Sequence, residues 1–403
     1  MPERAPPRAL STFELVAMVA ALSALNALGI DIMLPALPEI GREFALANDN
    51  DRQLVIIAYV ALFGVSQLVY GPLADAYGRR SVLNFALGLF VVASVLCVFA
   101  PTFEVFLLGR ALQGVAAAAT RVIATAVVRD LTSGRRMAQV MSMAMTLFMI
   151  VPIIAPGLGQ LILLAAPWRW IFGALLIYAA LLLGWTLLRL PETLHADNTT
   201  PFRARAVARA YACVLRERQT LGYMVATMFL VSCMFAYITS SEQIFVDTYG
   251  LGPLFPLAFA GVAVAISCGT FLNSRIVVRH GMRRISHTML IVFTALTALL
   301  AVIAAAGLAS FWVFMALIAL ALGVTGMVAA NFNALGMEPV GRVAGSASAL
   351  FGAVTATGGA VFGAVIARGF DGTVLPFALG LSLASGCALC AVLWTERGKL
   401  FVG

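Results

Sequence analysis

The sequence predicts an all-α membrane protein in which twelve transmembrane helices form two pseudo-symmetric six-helix bundles. Three observations carry that prediction. Hydrophobic residues make up 62% of the chain and charged ones 11%, with a mean hydropathy of +0.99; soluble chains carry about 25% charged residues. Twelve apolar runs reach the roughly 20 residues a spanning helix needs. A single long polar stretch near the middle of the 403 residues separates six runs from six.

The runs fall at about 12–36, 53–72, 82–100, 104–127, 138–164, 168–188, 221–241, 255–276, 286–307, 310–335, 343–367 and 374–394. Barrel strands would instead show about ten residues of alternating polarity. The leading "MPERAPPRAL" carries two arginines, but no small-residue cleavage site follows the first run, which is therefore expected to be a retained helix. The N-terminus, the C-terminus and the loops on their side hold 20 of the 26 Lys and Arg residues. By the positive-inside rule this places both termini in the cytoplasm. The net charge of +8 then reflects arginines facing anionic lipid and calls for no nucleic acid.

The polar interruption runs from Arg189 to Thr220 and divides the chain into a first bundle (1–190), a cytoplasmic linker (191–219) and a second bundle (220–403). An internal repeat supports the division. "GPLADAYGRR" (Gly71 to Arg80) ends the second span, and the looser "SRIVVRHGMRR" (Ser274 to Arg284) ends the eighth, with Gly78 and Gly281 203 residues apart. Each glycine is expected in a tight turn at positive φ, as in two parallel six-helix repeats.

The six cysteines lie mostly in apolar runs, where Cys acts as a small hydrophobe. Cys387 and Cys390 form a C-x-x-C, but without flanking polar ligands. The three histidines fall in or beside loops. Neither a metal nor an organic cofactor is expected.

"GPLADAYGRR" matches the G-x-L-x-D-x-x-G-R-[KR] signature at every fixed position. On this motif the chain resembles the major facilitator superfamily, and within it the twelve-helix drug:proton antiporters of the Bcr/CflA type. The resemblance covers nearly the whole length. It implies a cytoplasmic gate made of Gly71, Asp75, Gly78, Arg79 and Arg80, latching the two halves and releasing as they rock, with Asp130 of "VVRDL" as the acidic partner. Asp75 offers a charge to a helix N-terminus; the plainer reading is that the arginines only set topology.

The fourth span, "GRALQGVAAAATRVIATAVVRD", supplies Arg110, Gln113 and Gly114 of the family's R-x-x-Q-G. A guanidinium inside an apolar span costs about 2.5–3.5 kcal/mol even on the lenient insertion scale, so something must compensate it. Asp31, on an antiparallel span at similar depth, is the expected partner. Arg121 lies almost three turns further on the same face. It either lines the substrate path and favours anionic groups, or snorkels toward headgroups. In the fifth span "MIVPIIAPGLGQ" keeps Pro156 and Gly159 of a family G-P-x-x-G-G element, but Ala155 and Gln160 replace two of its glycines. Kinks are expected at Pro152 and Pro156. In the second half "MFAYITSS" and "MEPVGRVAGSASALFG" also resemble Bcr/CflA segments. With Gln113 and Arg121, Met234, Tyr237 and Glu242 are candidates for the substrate cavity; Glu242 and Asp247 either recruit cations at the outer mouth or are solvated loop charges.

Asp31, within "LGIDIMLPALP", is the only acidic residue deep inside a predicted span. Desolvation opposes its charge and a nearby arginine favours it, so a group balanced between the two can exchange a proton. Pro35 and Pro38 each withhold a backbone donor, and the helix is expected to bend at the aspartate. Asp31 then either titrates during transport or serves only to hold Arg110. The resemblance implies alternating access, with Asp31 and Arg110 coupling proton entry to export of apolar or amphipathic compounds across a bacterial inner membrane, by a monomer embedded in lipid. An uptake symporter for a metabolite on the same fold is the alternative, although the spans are poor in Asn, Gln and Glu. An intramembrane enzyme lacks a nucleophile with its base, and a channel would be expected to show a pore ring.

Overall fold

The computed structural model describes residues 10–194 and 204–401. Twelve helical segments are long and apolar enough to cross a membrane: α1 (Thr12–Glu43), α2 (Asp49–Tyr77), α3 (Arg79–Val98), α4 (Phe103–Leu131), α5 (Gly134–Ala165), α6 (Arg169–Arg189), α7 (Arg218–Thr248), α8 (Gly252–His280), α9 (Met282–Ala305), α10 (Phe311–Gly341), α11 (Ala344–Arg368) and α12 (Leu375–Thr395). An even number of crossings puts Leu10 and Phe401 at the same face of the bundle. The described residues contain no strand. A further amphipathic helix, Ala204–Arg216, joins the halves.

Local chemistry sets the helix ends. Ser11 caps α1 by accepting the Glu14 N–H, and Thr102 caps α4 by accepting that of Val105. Gly78 (φ 92°, ψ 145°) and Gly281 (φ 79°, ψ 152°) make the α2–α3 and α8–α9 turns in nearly the same conformation. Positive φ is where a Cβ is costly, so the two glycines of the sequence repeat are also a structural repeat.

Each half is a six-helix bundle packed along small-residue contacts. The bundles meet along two lines, α2 against α11 and α5 against α8. On the first line Gly64 sits so close to Thr357 that a Cβ would come within 2.6 Å of its backbone nitrogen. This leaves α1, α4, α7 and α10 to face the space between the bundles. Leu181, Val302 and Leu383 are exposed, as apolar side chains against lipid must be.

The expected break in α1 is present. Its first helix stops at Asp31, a 3₁₀ turn covers Leu34–Ala36, and a short helix resumes over Leu37–Glu43. By contrast α5 remains helical through both Pro152 and Pro156, which remove donors without ending it.

Candidate functional site

Asp31 lies at the end of the first α1 helix with only 4% of its surface exposed, and its Oδ1 has no hydrogen-bond partner. The break is backed by α5, where Gly159 approaches the Ile32 carbonyl so closely that a Cβ would lie 1.8 Å from its oxygen. Facing it from the second bundle, α7 touches the Leu34–Ala36 turn. Tyr237 of α7 is 2% exposed, stacks on Phe259 with ring centroids 5.4 Å apart, and also leaves its hydroxyl unpaired. Asp31 is within electrostatic range of Tyr237 and of Tyr59 in α2. Two unpartnered buried polar groups, one from each bundle, therefore lie near each other where α1 is broken. Buried polar groups usually find partners within the fold, which marks these two out.

The expected Asp31–Arg110 pair is not formed. Arg110 is fully buried and donates through Nε to the Val55 carbonyl (3.1 Å), through Nη1 to Gln113 Oε1 (2.7 Å) and through Nη2 to the Gly29 carbonyl (2.8 Å). Its guanidinium also lies 4.6 Å from the centroid of the Tyr59 ring. Carbonyls, an amide and an aromatic face supply the compensation that the sequence reading assigned to a carboxylate. They tie α4 to α1 and α2 within one bundle. Gln113 is likewise not a cavity residue: it is fully buried, and its amide donates to Ser94 of α3 (2.8 Å).

The remaining cavity candidates divide. Arg121 is exposed although it lies within α4, as is Thr125 one turn further, and Arg121 forms no ion pair among the described residues. Met234 is half-buried in α7. Glu242 is neither a cavity residue nor a solvated charge; it is 1% exposed and lies 3.1 Å from Arg52 of the first bundle.

That contact belongs to a polar seal across the bundles at the face opposite the termini. Arg52 also reaches Asp247 at 2.5 Å, and Arg368 of α11 reaches Asp51 at 2.8 Å. Gln53 donates to Gln243, whose own amide donates to Asn50 (2.7 Å); Asn50 in turn donates to the carbonyls of Arg368 and Phe370. Glu43 and Arg169, 2.7 Å apart at the same face, join two helices of the first bundle only. In the sequence, Arg52 looks like a loop arginine and gives no sign of this seal.

At the termini-bearing face the signature motif closes on its own bundle. Arg79, 4% exposed, lies 2.5 Å from Asp75 and 3.2 Å from Asp130, the partner expected from the sequence. Glu192, which the sequence reading passed over, accepts the backbone N–H groups of Arg79 (2.8 Å) and Arg80 (3.1 Å). It explains Gly78 a second time, since a Cβ there would meet Glu192 Oε2 at 2.5 Å. Arg80 donates to the Leu187 carbonyl, and Gly71 has open space around it. Among the described residues none of these bonds reaches the second bundle. That bundle repeats the arrangement, with Arg283 between Glu396 (3.2 Å) and Glu338 (3.8 Å).

Twelve spanning helices in two bundles, joined by ion pairs at one face and with a broken helix where they meet, form the frame of a membrane transporter. Residues 19–364 match the Major Facilitator Superfamily, and the chain belongs to that family. It is 33% identical over 347 residues to YdgK of Bacillus subtilis, described as an uncharacterized MFS-type transporter, covering 84% of each chain. It is 30% identical over 358 residues to a bicyclomycin resistance protein homolog of Haemophilus influenzae, covering 85% of this chain and 86% of that one. Among solved structures, a D-xylose-proton symporter superposes with a TM-score of 0.72 at 15% identity, covering 97% of this chain and all of that one. At that identity the likeness speaks for the fold alone.

Proposed function

We propose that this chain is a proton-coupled exporter of small apolar or amphipathic compounds, drugs among them, working by alternating access in a bacterial inner membrane with both termini in the cytoplasm. The observation that carries this reading is the buried, unpartnered Asp31 at the break in α1, where α7 of the second bundle touches the Leu34–Ala36 turn. A carboxylate there holds a proton when nothing else compensates its charge, and releases it when a cargo or water does. Proton and cargo then weaken each other's binding by the same factor, which is the linkage an antiporter needs. The relationship to a bicyclomycin resistance homolog supports drug-like cargo. The apolar side chains on this stretch of α7, with half-buried Met234 and Tyr237 stacked on Phe259, support it as well.

In this conformation the outer face is sealed, and Arg121 and Thr125 of α4 are exposed in the half of the span nearer the cytoplasm, so cargo enters from inside. Arg79 is free of the second bundle here and latches to it when the inner face closes. The test is cargo-induced proton release from purified protein, screened over a compound panel and repeated with Asp31→Asn. The variant is expected to bind cargo with no proton release. Proton release by Asp31→Asn at the wild-type level would falsify the assignment.

A further inference from the structure

Glu242 is a buried carboxylate that this transport cycle does not use. It is 1% exposed, and neither of its oxygens has a hydrogen-bond partner. The one cation beside it is Arg52, whose Nη2 is 3.1 Å away and is also claimed by Asp247 at 2.5 Å. Both carboxylates come from the second bundle and the single guanidinium from the first. The backbone makes this sharing possible: after Glu242 the chain winds as a π-helical turn over Gln243–Thr248. Residues five apart lie about 140° apart around an α-helix, whereas the wider turn brings 242 and 247 onto one side.

The surroundings offer no second cation to Glu242. Asp49 at the start of α2 adds negative charge, and Arg368 of α11 is engaged by Asp51. Gln53, Gln243 and Asn50 bond one another and the Ala367, Arg368 and Phe370 carbonyls. Beneath the turn, Phe245 packs on Phe255 of α8 and Phe314 of α10, which carry no charge. With both carboxylates ionised the closed seal holds one unbalanced negative charge out of water. Asp247 is 44% exposed on its side chain and can keep its charge hydrated; Glu242 cannot.

We infer that Glu242 is a proton-binding site of the outer seal: it takes up one proton as the two bundles close over it and returns that proton to the outside when they part. Neutral Glu242 leaves an Arg52–Asp247 pair of no net charge, which closes without burying a bare carboxylate. The sign follows by linkage. The closed state binds one more proton than the open state, so lowering the outside pH favours closure, with at most about a tenfold change in the closed:open ratio per pH unit.

The experiment places spin labels at Ala47 and Leu254, exposed positions on opposite bundles at this face, in full-length protein lacking its other cysteines and reconstituted in lipid nanodiscs. Label separation is followed from about pH 4 to about pH 9, a range that takes in ordinary and strongly desolvated glutamates. The wild type is expected to shift toward the short distance as pH falls. Glu242→Gln should hold the short distance across the range. Asp247→Asn, which leaves one carboxylate for one guanidinium, should move the midpoint to lower pH. Asp31→Asn should still respond to pH, and adding Glu242→Gln to it should abolish that response, which separates this site from the coupling site. A wild-type-like profile in Glu242→Gln, or no pH response in the wild type, would overturn the inference.

Discussion

Arg110 and Arg52 are both buried arginines of the first bundle, at 0% and 6% exposure, and the structure satisfies them in opposite ways. Arg110 is held by two carbonyls, a glutamine and an aromatic ring, all from its own bundle. Arg52 is held by two carboxylates from the other bundle. In the alternating-access cycle proposed above, the first arrangement persists and the second breaks in every turn. Neutral acceptors that cannot change protonation suit a permanent tie. Carboxylates suit a temporary one, since they can stand hydrated when the bundles part and one of them can take up a proton when they close. The partner chemistry of a buried arginine thus reports whether it belongs to the architecture or to the moving parts.

The comparison breaks if Arg110 can be removed without damage. Arg110→Met is expected to orphan the Gly29 and Val55 carbonyls and the Gln113 amide oxygen, at about 1–3 kcal/mol for each buried acceptor left unpaired. The outcome should be a large fall in folded yield and in thermal midpoint in detergent. Arg110→Lys should recover only part of this, because an ammonium cannot reproduce the guanidinium fork. Near-wild-type stability in both variants would assign Arg110 to the moving parts after all.

Arg52→Ala should act on conformation more than on stability. Removing the only cation beside Glu242 is expected to lower the closed:open ratio at the outer face by about tenfold, equivalent to about 1.4 kcal/mol, read as a longer Ala47–Leu254 label distance. The thermal midpoint should move far less than for Arg110→Met. The smallest effect belongs to Glu43→Gln. Glu43 and Arg169 form an ion pair at the same face, but within one bundle and with side chains 44% and 28% exposed. Its loss should cost less than about 1 kcal/mol and leave the label distance unchanged. A shift as large as that of Arg52→Ala would show that charge at this face matters, not the bridging of two bundles.

How much of this was legible in the sequence depends on how far apart the cooperating residues lie. The twelve spans were legible because hydropathy over a window of residues is a local property and the membrane enforces it. The break in α1 was legible because Pro35 and Pro38 withhold donors from their own helix, whatever surrounds them. Gly78 and its partner in the repeat, Gly281, were legible because a turn at positive φ selects glycine locally. The Asp31–Arg110 pair failed for a different reason. Depth along two helices was judged correctly, but which face each presents depends on packing, and the Gly29 and Val55 carbonyls took the guanidinium. Carbonyls leave no mark in a sequence. Gln113 followed Arg110 into the bundle for the same reason.

The sequence by itself determined the class of molecule, its twelve crossings, its internal repeat and the residue types at its signature turn, because each rests on the chemistry of neighbouring residues and on the cost of placing polar groups in lipid. Only the tertiary structure decided the partners: Arg110 with carbonyls, Asp31 left beside Tyr237, and Arg52 set between Glu242 and Asp247 some 190 residues away. Those partners are chosen by helix rotation and by the meeting of two bundles, and nothing in the chain near Arg52 records which bundle will arrive to meet it.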